Sequence, residues 1–143
     1  MRKTVLITGA TSGIGLACAR KFAANGDRLI ITGRKENVLA DIRKELTATG
    51  CEVLTLAFDV RDREKAKQYV GSLPEEWRKI DVLVNNAGLA LGLEPVYKGI
   101  KPLTGDDIAD VAVFAANAPA HVQIAEVLIL ATHQGSGSVI VRE

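Results

Sequence analysis

The sequence predicts an α/β fold in one domain, a sheet of parallel strands covered by helices on both faces, and three observations lead there. Short apolar runs alternate with helical patterns from residue 3 to residue 85, the order that right-handed crossovers between parallel strands produce. The runs Val5-Leu6-Ile7, Leu29-Ile30-Ile31 and Val82-Leu83-Val84 are apolar without alternation, as in strands buried on both faces. A length of 143 residues admits one domain with a core and leaves no room for a separate substrate domain beside it.

Taken in order, the pattern places a strand near 3–8, a helix over 13–25, a strand over 28–32, a helix over 35–48, a strand over 52–57, a helix over 62–72 and a strand over 81–85. Asn25-Gly26-Asp27 and Thr49-Gly50 end the first two helices, each supplying a residue that tolerates positive φ. From Gly88 to Gly105 the pattern lapses into a loop of Gly, Pro and scattered apolar residues. It resumes at Thr104, an N-cap with Asp106 and Asp107 in the first turn, and a helix runs through Ile108 to Ala116 until Ala118-Pro119 stops it. Val127-Leu128-Ile129-Leu130 reads as a fifth strand, ahead of the Gly-Ser tail 135–138 and the apolar patch Val139-Ile140-Val141.

Residues 8–15, Thr-Gly-Ala-Thr-Ser-Gly-Ile-Gly, fall between the first strand and the first helix. A strand, a glycine turn and a helix form a phosphate cradle: Gly9 lets the chain turn sharply, Gly13 leaves space for a pyrophosphate, and Gly15 lets helix and strand pack closely. The implied ligand is a dinucleotide. Gly9, Ala10, Thr11, Ser12, Gly13 and Ile14 would hold the pyrophosphate and adjoining ribose. After the second strand an NAD-binding protein would carry an acidic residue, whereas this chain reads Thr32-Gly33-Arg34-Lys35. The cations Arg34 and Lys35 favour a 2′-phosphate, hence NADP over NAD; alternatively they merely begin an exposed helix.

Composition excludes several partners. The 18 basic and 17 acidic residues nearly cancel and aromatic residues make up only 4%, so neither an electrostatic grip on nucleic acid nor base stacking is suggested. No apolar run approaches the ~20 residues of a membrane span and none near Met1 resembles a signal peptide, which predicts a soluble, cytoplasmic protein. Cys18 and Cys51 read as reduced packing residues. His121 and His133 have no Cys or Asp spaced for a metal and read as capping or solvated residues.

The glycine turn, together with Asn85-Asn86-Ala87-Gly88 at the end of the fourth strand, resembles the short-chain dehydrogenase/reductase family. Val84 through Pro95 and Leu73-Pro74-Glu75-Glu76-Trp77 look closest to its NADP-dependent 3-hydroxy acid, serine-type branch. The likeness covers residues 1–95, and resumes in Pro102 through Asp110 and Pro119-Ala120-His121-Val122, which are similar to the last helix and last strand of those enzymes. The family's central segment is missing between them. It carries the catalytic Asn and Ser, the helical Tyr-x-x-x-Lys pair, and the Pro-Gly that faces the nicotinamide. The resemblance therefore implies a shortened Rossmann-like three-layer αβα sandwich whose five strands run in the order 3-2-1-4-5. The last helix and strand would take the place of the first pair removed, with the same handedness. Domain organisation follows as 1–143, with 1–95 the family's N-terminal half and 96–143 its last helix, strand and tail.

The resemblance also assigns Asp59 and Val60 to the adenine ring, with an N-cap of the next helix as the alternative role for Asp59. It puts Asn86, Ala87 and Gly88 under the adenosine ribose, and makes Asn85 a brace between strands. Tyr97 and Lys101 form a formal Tyr-x-x-x-Lys match, but Gly99 and Pro102 work against the helix such a pair needs to set the phenol's acidity. The reading that results is an NADP(H)-binding domain without a catalytic centre. Two alternatives stand beside it. One is an active oxidoreductase on a small hydroxy acid or alcohol, with Tyr97 as acid/base and Lys101 tuning it. The other is a minimal fold without nucleotide, or a homo-oligomer formed through altered surfaces or through the tail 139–141 on another chain's sheet edge.

Overall fold

The structure, a computed structural model, describes residues 2–88 and 101–132. Strands β1 (Thr4–Ile7), β2 (Arg28–Gly33), β3 (Val53–Ala57) and β4 (Val82–Val84) form one sheet of order β3-β2-β1-β4, with every neighbouring pair parallel. Val5 stands opposite Leu29 and Val82, and Ile7 opposite Ile31 and Val84. Helices α1 (Gly13–Ala24), α2 (Glu36–Thr47), α3 (Arg63–Gly71) and α4 (Gly105–Ala116), with a single 3₁₀ turn at Glu75–Trp77, complete the described elements. The expected strand and helix positions up to residue 116 are all occupied, with ends differing by one or two residues.

Alternate strand residues divide the core between the two faces. Val5, Ile7, Leu29, Ile31 and Val53 pack with Cys18 and Phe22 of α1, with Leu39, Ile42 and Leu46 of α2, and with Ala109 of α4. On the opposite face Ile30 and Leu56 pack with Phe58 and Leu73, and against them lie Leu6, Leu54, and Ala66 and Tyr69 of α3. The three α2 residues recur at the spacing of one helical stripe. Gly26 and Gly50, both at φ +86°, end the first two helices as the sequence implies. Cys18 and Cys51 are buried free thiols whose pKa values burial pushes up.

Two expectations fail beyond β4. The sheet has four strands among the described residues, because Val127-Leu128-Ile129-Leu130 adopts no strand conformation and forms no backbone hydrogen bond there. The last helix also does not take the place foreseen for it, since α4 packs on α1, with Gly105 against Ala17 and the ion pair Lys21–Asp110 at 2.8 Å. Right-handed connection from β4 to a fifth parallel strand requires the helix on the α3 face; α4 lies on the other. The helix thus closes the core over α1 but cannot deliver its chain to the edge of β4 with the preferred hand.

Candidate functional site

A cleft of about 800 Å³ opens beyond the carboxyl ends of β1, β2 and β4, the switch point of the sheet. Three glycines shape its floor by different means. Gly9 turns the chain at φ +67°, and a Cβ there would stand 2.9 Å from Ala87 Cα. Gly13, at φ +53°, faces open space, with no atom within 4 Å of where a Cβ would be. Gly15 is buried, and a Cβ on it would collide with the Gly9 carbonyl and the Asn86 amide.

The N-terminus of α1 opens into this cleft without a cap. Ser12 is extended and its side chain caps nothing, no acidic residue occupies the first turn, and the first amide seen to bond back into the helix is that of Leu16, to Ser12 O. By contrast, Asp62 caps α3 and Thr104 forms a capping box with Asp107 on α4. The amides of Gly13 and Ile14 and the positive end of the helix therefore stand free toward the cleft, which fits an anion. This open cradle is what a diphosphate needs.

Most of the expected binding residues converge here. Gly9, Thr11, Ser12, Gly13, Ile14, Arg34, Asp59, Val60, Asn86, Ala87 and Gly88 all line the cleft. Ala10 and Gly15 do not: both are buried, and the Ala10 amide donates to Thr32 O at 3.0 Å, tying the turn to β2. Lys35 also stands outside the lining, as the exposed N-cap residue of α2, so of the two expected cations only Arg34 faces the cleft. Arg34 is exposed and has no ion pair among the described residues.

Asp59 is not a helix cap, since that role falls to Asp62. Its carboxylate instead accepts from Arg61 Nη2 at 2.7 Å, Nε at 3.0 Å and the Arg61 backbone amide at 3.0 Å. These bonds, with Arg34 nearby, hold the Asp59 carboxyl well below the usual carboxylate range. The brace assigned to Asn85 is shared: the Thr8 hydroxyl lies 3.4 Å from Asn85 Oδ1, but Asn86 Nδ2 donates to Gly9 O at 3.1 Å and Thr8 O at 3.3 Å.

Several residues of the site escaped the sequence reading. Thr8 Oγ1 accepts from the amides of Asn86 and Ala87, each at 3.0 Å, and so pins the β4 turn to β1. A threonine directly before the glycine turn was the available signal. Thr32, Gly33, Phe58 and Arg61 also line the cleft, and Thr32 Oγ1 is buried without a hydrogen-bond partner among the described residues. Of the formal catalytic pair, Tyr97 lies outside the described residues, as do His133 and the tail 135–141. Lys101 is exposed in an irregular segment ahead of α4. His121 is exposed, and no group of three His, Cys, Asp or Glu side chains converges for a metal among the described residues. No described helix is long and apolar enough to cross a membrane.

Comparison with known proteins adds a lineage. The family model described as short chain dehydrogenase matches residues 3–142. The NADP-dependent 3-hydroxy acid dehydrogenase YdfG of Salmonella typhi is 53% identical over 94 residues, 66% of this chain and 37% of that protein. Among solved structures, serine dehydrogenase from Escherichia coli superposes with a TM-score of 0.58 at 44% identity, covering 67% of this chain and 43% of that one. A metagenomic short-chain oxidoreductase in complex with NADP gives a TM-score of 0.75 at 21% identity, covering 89% of this chain and 96% of that one, a likeness of fold alone. The match to the curated relatives thus spans little more than a third of their length.

Proposed function

The chain belongs to the short-chain dehydrogenase family, and we propose that it binds NADP(H) in the cleft beyond β1 and β4 without itself carrying out hydride transfer. The observation that carries this reading is the uncapped, acid-free N-terminus of α1, opening beside Gly13 where a side chain would meet nothing. The amides of Gly13 and Ile14, with the hydroxyls of Thr11 and Ser12, would hold the diphosphate. Arg34, exposed on the cleft wall and without an ion pair among the described residues, would take the 2′-phosphate as a charge-assisted partner. Asp59 and Val60 would meet the adenine, and Asn86, Ala87 and Gly88 the adenosine ribose.

The cofactor, when bound, would bring a nicotinamide able to give or accept hydride. The absence of catalysis is supported by Lys101, which stands in no helix and so lacks the support that a Tyr-x-x-x-Lys pair needs. It is supported too by the lack of a serine upstream at the position the family uses. The same reading places residues 1–143 in one dinucleotide-binding domain. YdfG is named as an NADP-dependent enzyme and serine dehydrogenase has been solved in complex with NADP⁺, which supports NADP as the form of cofactor.

Adenosine 2′,5′-bisphosphate tests the binding half of the proposal, because it needs only the adenine end of the cleft. Saturable binding, with no reduced nicotinamide formed from NADP⁺ and 3-hydroxy acids, is the expected outcome. Turnover abolished by Tyr97→Phe would overturn the non-catalytic part, and absence of binding at millimolar ligand would overturn the whole.

A further inference from the structure

Three charged side chains line the cleft among the described residues, Arg34, Asp59 and Arg61, and they do not act independently. Asp59 and Arg61 stand in the turn between β3 and α3, which the Asp62 amide closes on Asp59 O at 2.9 Å. Arg61 engages both oxygens of the Asp59 carboxylate. Oδ1 accepts from the Arg61 amide and from Nε, each at 3.0 Å, and Oδ2 accepts from Nη2 at 2.7 Å and from Nε at 3.1 Å. A carboxylate offers about four acceptor sites, so Arg61 alone occupies most of them. Arg34 is the second cation near this carboxylate, close enough to help keep it ionised.

A carboxylate at this place is adverse to a 2′-phosphate in two ways. The phosphate monoester carries a charge of about −1.5 to −2 at neutral pH, which Asp59 repels. Asp59 is also a rival acceptor for the Arg34 guanidinium. Arg61 answers both, because it cancels the carboxylate's charge and fills the acceptor sites that Arg34 would otherwise take. The three groups then sum to a single positive charge, and Arg34, without an ion pair among the described residues, is the cation left to present it. Given the 2′-phosphate seat at Arg34 proposed above, we propose that Arg61 is a positioning residue that sets the preference for the 2′-phosphorylated cofactor without touching the phosphate, by keeping Asp59 occupied. Loss of Arg61 leaves Asp59 free to draw Arg34 onto itself, and the positive charge of this wall is gone.

Adenosine 2′,5′-bisphosphate and 5′-AMP differ by the 2′-phosphate alone, so the ratio of their affinities separates its contribution from that of the adenine. The test is calorimetric titration of both ligands into the parent chain, Arg61→Ala, and the double variant Asp59→Asn/Arg61→Ala. The ratio should fall by roughly threefold or more in Arg61→Ala, the scale of an exposed ion pair. In the double variant, which has lost the rival carboxylate and regained the parent's net charge on this wall, it should return to within about twofold of the parent. An unchanged ratio in Arg61→Ala would overturn the proposal. So would a double variant as low as Arg61→Ala, since Arg61 would then be gripping the phosphate itself. Failure of the parent chain to bind the bisphosphate would remove the cofactor reading and this role together, whereas binding retained at an unchanged ratio would remove the role of Arg61 alone.

Discussion

Replacing Thr8 by Val keeps the shape of a nearly buried side chain and removes one oxygen. That oxygen accepts the amides of Asn86 and Ala87, both at 3.0 Å. The Asn86 amide keeps a second acceptor, Val84 O at 3.1 Å, whereas the Ala87 amide has no other among the described residues. One donor is therefore orphaned, at a cost of about 1–3 kcal/mol, and because Ala87 is exposed enough for water to reach it the lower part of that range applies, about 1–2 kcal/mol. For a chain of this size each kcal/mol is worth roughly 3–4 °C, so the melting temperature should fall by about 3–8 °C. Circular dichroism melts of Thr8→Val and Thr8→Ser beside the parent decide the matter. Serine keeps the acceptor and should lose less. Equal losses in the two variants, or an unchanged melt in Thr8→Val, would refute the claim that this hydroxyl holds the β4 turn against β1.

The glycines of the turn should separate by mechanism. Gly15→Ala forces a methyl onto the Gly9 carbonyl and should cost about 3 kcal/mol, while Gly13→Ala meets no atom and bears only the left-handed backbone penalty of about 1–2 kcal/mol; urea midpoints in the reverse order would contradict the packing described. For Asp59, whose folded pKa is depressed by the Arg61 bonds, the stabilisation is fully present above the unfolded value of about 3.9 and is lost as pH falls through the lower folded value. Carboxyl NMR should find Asp59 still ionised near pH ~3, and Arg61→Ala should return it toward the ordinary range. A titration unmoved by Arg61→Ala would show that the ion pair does not hold the carboxylate.

The parts of this molecule legible in its sequence are those fixed by local chemistry. Unalternating apolar runs marked β1, β2 and β4, Thr104 with Asp107 announced the start of α4, and the spacing of Gly9, Gly13 and Gly15 announced the cradle. What the sequence did not reveal depends on tertiary choice. Val127–Leu130 has a strand's composition, yet pairing requires an edge that the chain can reach, and that depends on which face α4 selects. The packing of Gly105 on Ala17 settles that, through a contact 88 positions apart in the chain. Arg34 and Lys35 read alike as neighbouring cations, but adjacent residues at a helix start diverge, and only Arg34 reaches the cleft wall. Arg61 went unnoticed because nothing about an arginine two residues after an aspartate announces that it will grip it.

The central claim is that the adenine end of the cleft is intact and selects a 2′-phosphate through Arg34. Calorimetric titration with NADP⁺ and NAD⁺, on the parent chain and on Arg34→Ala, tests it most directly. An exposed charge-assisted contact is worth about 1–2 kcal/mol, so the parent should prefer NADP⁺ by roughly 5- to 30-fold and the variant should bind the two alike, with NAD⁺ affinity little changed. Equal affinities in the parent, or a preference that survives in Arg34→Ala, would contradict the account.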